Sequence, residues 1–426
     1  MRCLELNNSN IKSKRTLVVG YNGGVARAFL SLLENHPTGK EALKNIERLF
    51  LVDKDETEFK PNIPRSTILE PCAINSADDL AKLIQQHNIQ QVIDLSSTDT
   101  VDCTRVCDEL GVDFLCTSVE EWPEKGSIPT DQAIARLLPP HRDALKGSHL
   151  VGAGANPGIV NALVERGIRE FAKVAGTEAT INALDLKSIL ITEKDTTAEL
   201  RADYNNTVFP MTWSPEHCLE ELFEPRAFFA KSGKIYDLDH MPTARTYHAR
   251  CGTEFIEGMA VPHEETKTLA RKYSNVEIAF LYEIPFAARR ALSSRPNKLE
   301  INDWNTRRLF PPTTIEIQGY DRVGVLLSSR KYGEMWIGFE TDVSKGIPLN
   351  SNATQLQVAA GILAGWQQLG EQKGIHFVED LDSEKFLKVA ESVLGKCIIV
   401  HDPKAKPVSL ENRAIINEKE LAQAQA

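Results

Sequence analysis

The chain has 426 residues, 42% of them hydrophobic and 25% charged, with a formal net charge of -10; that length predicts two or three domains, and the composition is that of a folded chain without biased tracts. The acidic balance argues against a nucleic-acid surface, which needs clustered Lys and Arg; it suits a cationic ligand, and it equally serves to keep a large protein soluble. Cysteines at 3, 72, 103, 107, 116, 218, 251 and 397 lack paired metal-ligand spacing, no leader precedes an apolar strand at Leu17, and no apolar run could cross a bilayer, so we expect a cytoplasmic protein with reduced thiols, no metal and no membrane partner.

The stretch from Leu17 to Ala28 reads as a strand ending at Gly20, a turn through Asn22, Gly23 and Gly24, and a helix starting at Val25. Such a turn bares main-chain N–H groups at the positive end of a helix, where a pyrophosphate can lie close to residues without a Cβ. The spacing is Gly-x-x-Gly-x-x-Ala rather than G-x-G-x-x-G. Leu49 to Asp53 is a second apolar run closed by an acid; Asp53 either ends a strand or accepts hydrogen bonds from a ribose diol, favouring NAD over NADP. The excess spacing from the turn is assigned to an insertion at 36–41.

A helix over 76–87, a strand over 91–94 running out into Ser96, a helix around 104–110 and a strand over 112–118 follow. Strands alternating with amphipathic helices predict a Rossmann-type doubly wound parallel sheet, with ligands beyond the carboxyl ends of the strands. Asp94, Ser96, Glu120, Glu121 and Trp122 fall at those ends, which predicts an acidic pocket with one aromatic wall. Beyond His149, a strand runs into Asn156-Pro157-Gly158 and a helix over 159–171; Asn156 either caps that helix or presents its amide to a ligand. A strand over 183–191 leads into a polar stretch, 192–197. Strands over 276–282 and 314–318, with a hairpin over 321–340, predict a second α+β domain with a mostly antiparallel sheet, one face exposed. A small-residue helix over 352–366 is expected to return to the cofactor domain, and a loose terminal helix to follow through 418–426. We divide the chain at 1–150, 151–345 and 346–426.

The Gly turn, Glu120-Glu-Trp122, Gly154-Ala-Asn-Pro-Gly158, Glu193-Lys-Asp195, Thr212-Trp-Ser214, Gly258-Met-Ala-Val-Pro-His263-Glu, Asp321-Arg-Val-Gly-Val-Leu and Asn352-Ala-Thr-Gln-Leu-Gln-Val occur in one order across most of the chain. That ordered set resembles the bacterial homospermidine synthases, within the saccharopine dehydrogenase-like group. The resemblance implies a tightly held NAD used twice without net consumption: putrescine is oxidised to an imine, ammonia leaves, a second amine condenses and the new imine is reduced. It implies cofactor contacts at Gly20, Asn22, Gly23, Gly24, Val25, Asp53, Ser96 and Pro157, with Asn156 against the nicotinamide. It implies an amine pocket lined by Asp94 and Glu120, Glu193 anchoring an ammonium, Trp213 facing the iminium carbon, Glu220 or Glu221 at the distal amine, and His263 as acid/base. A homodimer through the second sheet is implied as well.

Physical chemistry supports carboxylates at both ends of a diammonium ion, because unpaired buried charge is costly, and an aromatic ring over a cation. Read without the resemblance, Trp213 is a packing residue and His263 a loop histidine. Met211 stands where the family has Asn, and the segment following Glu221 is short. Two other readings are a reductive condensation dehydrogenase of the carboxynorspermidine or saccharopine type, for which Arg245, Arg250 and Arg322 could bind a carboxylate, and a non-catalytic NAD-binding protein.

Overall fold

In the strand Lys14–Val19, Leu17 and Val18 are fully buried and Val19 nearly so, the pattern of a parallel strand covered on both faces. It pairs in parallel with Ile46–Val52 on one side and Gln91–Asp94 on the other. The computed structural model describes residues 13–122, 130–137, 145–200, 207–295, 300–309, 316–406 and 408–415. Within these, the first sheet runs Gly374–His376, Ser148–Leu150, Asp113–Cys116, Gln91–Asp94, Lys14–Val19, Ile46–Val52, Ser66–Ile68, every pair parallel. The strand order reverses between Lys14–Val19 and Gln91–Asp94, which opens a ligand crevice beyond their carboxyl ends. The covering helices carry local stop and start signals: Ser76 caps Ala77–His87, Asp99 caps Thr100–Leu110, and Gly111 at φ 69° ends the latter. The expected insertion at 36–41 is itself a short helix, Pro37–Ala42.

The second sheet is mixed. Its main path runs Ile398–Asp402, Gly333–Asp342, Tyr320–Ser329, Leu186–Asp195, Glu277–Glu283, Glu254–Val261, Thr246–Cys251, Ala414–Ile415, antiparallel throughout except for the parallel pair Leu186–Asp195 and Glu277–Glu283. Two strand readings need correction here. Residues 181–184 are a short helix, and the strand begins only at Leu186 and continues to Asp195, so Glu193 and Asp195 of the polar stretch lie on the sheet. The strand at 277–283 is buried on both faces: Ile278, Phe280 and Tyr282 enter one core, Ala279 and Leu281 another. Its alternation of residue types therefore marks two cores, not an inside and an outside. The strand expected over 314–318 lies partly outside the described residues, and the terminal helix over 418–426 wholly so.

The helix Ala353–Gln368, capped by Asn352, is buried on nearly every side. Small residues allow this: a Cβ on Gly361 would overlap the Gly154 carbonyl, and Trp366 packs edge-on against Phe29 of the Gly24–Asn35 helix at 5.8 Å. The stretch 346–426 is shared between layers, since Gly374–His376 joins the first sheet while Ile398–Asp402 and Ala414–Ile415 join the second. Among the described residues no helix is long and apolar enough to cross a membrane.

Candidate active site

Gly20 adopts φ 73°, and a Cβ there would lie 2.7 Å from the Leu95 carbonyl oxygen, so the turn closes onto the end of the neighbouring strand only with glycine. Gly23 caps the Gly24–Asn35 helix without a side-chain acceptor. The first N–H groups are thus left for an external anion; this cradle fits a pyrophosphate. Val25 lies half-buried in the first turn. Asp53 is more than a strand end, because its Oδ2 accepts the Asn22 main-chain N–H at 2.9 Å. The Asn22 side chain accepts from Thr57 Oγ1 at 2.7 Å and pairs with Arg27. Arg27, which sequence reading passed over, stacks on Phe59 at 4.9 Å.

Across the crevice, Ser96 donates to Asp94 Oδ1 from both its N–H, 3.1 Å, and its Oγ, 2.6 Å, while Thr98 donates to Oδ2. Burial pushes the Asp94 carboxyl up, against these bonds, and Glu120 adds to the rise. Glu120 is held by Ser118 Oγ at 2.7 Å. The acidic pocket with an aromatic wall needs correction at its last two members: Glu121 pairs with Arg136, and Trp122 is buried in the first domain, donating to Asp102 Oδ2 at 2.8 Å. An indole at a strand end packs inward when a neighbouring helix supplies an acceptor for its N–H.

The Leu186–Asp195 strand sets the other wall. Glu193 is buried and its Oε2 accepts from Asn156 Nδ2 at 2.7 Å; Asn156 therefore does not cap the following helix, whose first turn is closed by Asn161 Oδ1 accepting the Gly158 N–H at 2.8 Å. The Asn156–Pro157 bond is cis. Pro157 borders a cavity of about 10 Å3 shared with Asn161, Glu264 and Phe377, room for about one water. Burial and then Asp195 push the Glu193 carboxyl up to about 8. Tyr282 is the cross-strand neighbour of Glu193, and its hydroxyl receives the Trp213 Nε1–H at 3.4 Å. Trp213 is half-buried at the start of the Pro215–Leu222 helix. Beyond it, Asp195, Thr212, Thr354 and Asp321 form a chain of oxygen contacts of 2.6, 3.0 and 2.6 Å. Two hydroxyl hydrogens cannot fill three contacts. A proton shared by the two carboxyls at the ends of the chain supplies the third, in keeping with burial pushing both Asp195 and Asp321 up. Among the described residues no Lys or Arg pairs with Glu193, Asp195 or Asp321.

His263 closes the site. Its Nδ1 contacts Glu265, with Glu264 Oε2 at 3.4 Å, and its Nε2 lies 3.9 Å from Glu221 Oε1; the ring sits 4.8 Å from Phe280. Burial alone would lower its pKa, but Glu265, Glu264 and Glu221 hold it well above the usual value, so it is an imidazolium near neutrality. Atoms of His263, Glu264 and Glu265 that could bind a metal come within 4.8 Å of one another. Glu221, pushed well up by burial, feels His263 first, whereas Glu220, also raised by burial, feels His217 first and then Glu120. The two glutamates thus address different parts of the site. Tyr282 and Asp321 escaped sequence reading as site residues because strand register brings them in, and Thr354 and Glu265 because burial at the starts of their helices does.

A parallel dinucleotide-type sheet, joined to a mixed sheet whose central strands carry unpaired acids, defines a two-domain Rossmann-type class. Within that class the chain is similar to a homospermidine synthase from Mesorhizobium japonicum, 23% identical over 435 residues that cover 89% of this chain and 88% of that protein. Among solved structures it is similar in fold to the homospermidine synthase of Legionella pneumophila in complex with NAD, with a TM-score of 0.78 at 18% identity over 95% of this chain and 98% of that one. The apo saccharopine dehydrogenase (L-Glu forming) of Saccharomyces cerevisiae matches with a TM-score of 0.53 at 12% identity, over 91% and 100%. No protein-family model matches the chain.

Proposed function

We propose that the chain is an NAD-dependent enzyme of the homospermidine synthase kind, transferring an aminoalkyl group from a diamine such as putrescine to a second amine. The observation that carries this reading is the buried Glu193, bonded to Asn156 at 2.7 Å and free of any Lys or Arg partner among the described residues, beside Tyr282 and Trp213. Such a site lacks a Lys or Arg partner for that carboxyl and offers it, with an aromatic ring, to an incoming cation. Bound NAD, seated at Gly20, Gly23 and Gly24 with Asp53 at its ribose and Asn156 and Pro157 at the nicotinamide, would accept and return a hydride. Glu193 binds the ammonium next to the reacting carbon, Asn156 orients that carboxylate, and the Trp213 ring shields the developing iminium. His263, held as imidazolium by Glu265, is placed to give and retake a proton, while Glu221, and Glu220 with Glu120, receive the far ends of the amines. Asp94, occupied by Ser96 and Thr98, contributes negative potential more than a direct contact. The reading includes a homodimer through the second sheet, where Phe255 is 49% exposed beside His248 and Arg250; light scattering should give twice the chain mass.

The saccharopine-type alternative requires a guanidinium for a keto-acid carboxylate. Arg322 is bound to Glu340, Arg250 to Asp402 and Arg245 to Asp239, which leaves the first reading favoured. Purified protein incubated with putrescine and NAD should release ammonia and homospermidine with no net NADH. Net NADH consumption dependent on a keto acid would overturn the proposal, and cofactor binding with no amine turnover would favour a non-catalytic protein. Trp213→Ala should lower kcat/KM by about tenfold or more, the upper range of a desolvated cation–π contact, with unchanged circular dichroism.

A further inference from the structure

Apart from Thr354, the segment Asn352-Ala-Thr-Gln-Leu-Gln-Val has no place in the site above, yet its first turn is buried throughout: Asn352, Thr354 and Gln355 are all withdrawn from solvent. Helix capping explains Asn352, whose Oδ1 accepts the Gln355 N–H at 2.8 Å. It does not explain the amides. Asn352 Nδ2 donates to the Thr212 carbonyl at 2.6 Å, and Gln355 Nε2 donates to the same oxygen at 3.1 Å. Both lone pairs of that carbonyl are then taken, and the peptide that carries Trp213 is held by two side chains of one helix. Thr354 grips the Thr212 hydroxyl as well. A buried carboxamide is costly unless it is bonded, so Gln355 keeps its place by holding this peptide.

The same carboxamide faces the cofactor turn. A Cβ on Gly24 would lie 2.9 Å from the Gln355 carboxamide carbon and closer still to its Nε2. Gly24 opens the helix at which the pyrophosphate would sit. One side chain thus rests on the main chain of the cofactor turn and bonds the main chain preceding Trp213. We propose that Gln355 is a positioning residue for Trp213, coupling the placement of that ring to the backbone at the cofactor turn; its effect on activity rests on the role given to Trp213 above, whereas its structural effect does not.

The test uses the whole protein labelled with 5-fluorotryptophan, its five indole resonances assigned by single Trp→Phe substitutions. Gln355→Met keeps the length of the side chain and removes the amide. The Trp213 resonance should shift while those of Trp122 and Trp336 stay, and Gly24→Ala, whose added Cβ would displace the Gln355 amide, should move the same resonance. With putrescine and NAD, Gln355→Met should lower kcat about fivefold, the factor for one net hydrogen bond, while NAD affinity changes less than about twofold. Added to Trp213→Ala, it should cost less than about twofold further, because a residue acting through another is non-additive with it. An unmoved Trp213 resonance in both variants, or a full additive loss in the Trp213→Ala background, overturns the proposal. Absence of amine turnover would count against the function proposed above and leave the resonance measurement to decide this one. Should Gln355→Met not fold, Gly24→Ala alone decides: the Trp213 resonance moves or it does not.

Discussion

A carboxyl held at about 8, as Glu193 is by burial and then by Asp195, is mostly protonated at neutral pH and ionises when a cation arrives. The folded state binds this proton more tightly than the unfolded chain does, so its contribution to stability is complete below the usual 4.5 and is lost as pH rises through about 8. His263, raised well above its usual value, acts in the same direction at higher pH. We expect the melting temperature of the free enzyme to fall between pH 5 and pH 9, and to fall less in Glu193→Gln. Putrescine affinity should rise over pH 7 to 9 in the parent and stay nearly flat in Glu193→Gln, as read by calorimetry. Glu193, Trp213 and His263 were legible as types in an ordered set of motifs. What was not legible is their surroundings: Tyr282 beside Glu193 and Asp321 beside Asp195 are register pairs between strands far apart in sequence, and register is set by tertiary packing, not by spacing.

The turn Asn156-Pro157-Gly158 joins the first sheet to the helix Ile159–Ala175 and turns an amide toward Glu193. Gly158 has φ 134°, and a Cβ there would overlap the Gly154 main chain, whereas Gly176 at the other end of the helix has φ 65° and open space around it. Gly158→Ala should therefore destabilise by about 2 to 4 kcal/mol, against about 1 kcal/mol for Gly176→Ala, which meets only the left-handed penalty. Urea unfolding of the pair checks this, and equal losses would show that the close approach is not required. The alternation of strands and helices up to Cys116 was readable because parallel strands in a doubly wound sheet are apolar runs with capped helices between them. The mixed sheet was less so: at 183–195 a left-handed Asp185 at φ 51° ends a short helix and displaces the strand start, and polar residues continue the strand because their partners lie inside the protein.

At the scale of the molecule, the two sheets are tied together by the last part of the chain. Gly374–His376 extends the first sheet, and the helix Ser383–Leu394 packs on Ile159–Ala175, with Glu384 bridging Arg166 and Arg169. Arg413 then pairs with Glu334 and touches Ser328 Oγ at 3.2 Å, all buried. Removing one member of a buried pair leaves the other uncompensated, so Arg413→Ala should cost about 3 kcal/mol. Glu334→Leu combined with Arg413→Met should recover most of that loss in denaturant melts; an Arg413→Ala protein as stable as the parent would show that the tail does not brace the sheet.

The two ends of the main path of the second sheet are strands from this tail, Ile398–Asp402 along Gly333–Asp342 and Ala414–Ile415 along Thr246–Cys251. Exposed strand edges recruit other chains, and proteins emerge from the ribosome in order of sequence. These two strands follow every other strand of that path in the sequence, so a nascent chain made only as far as Lys396 leaves Gly333–Asp342 and Thr246–Cys251 each uncovered along one side.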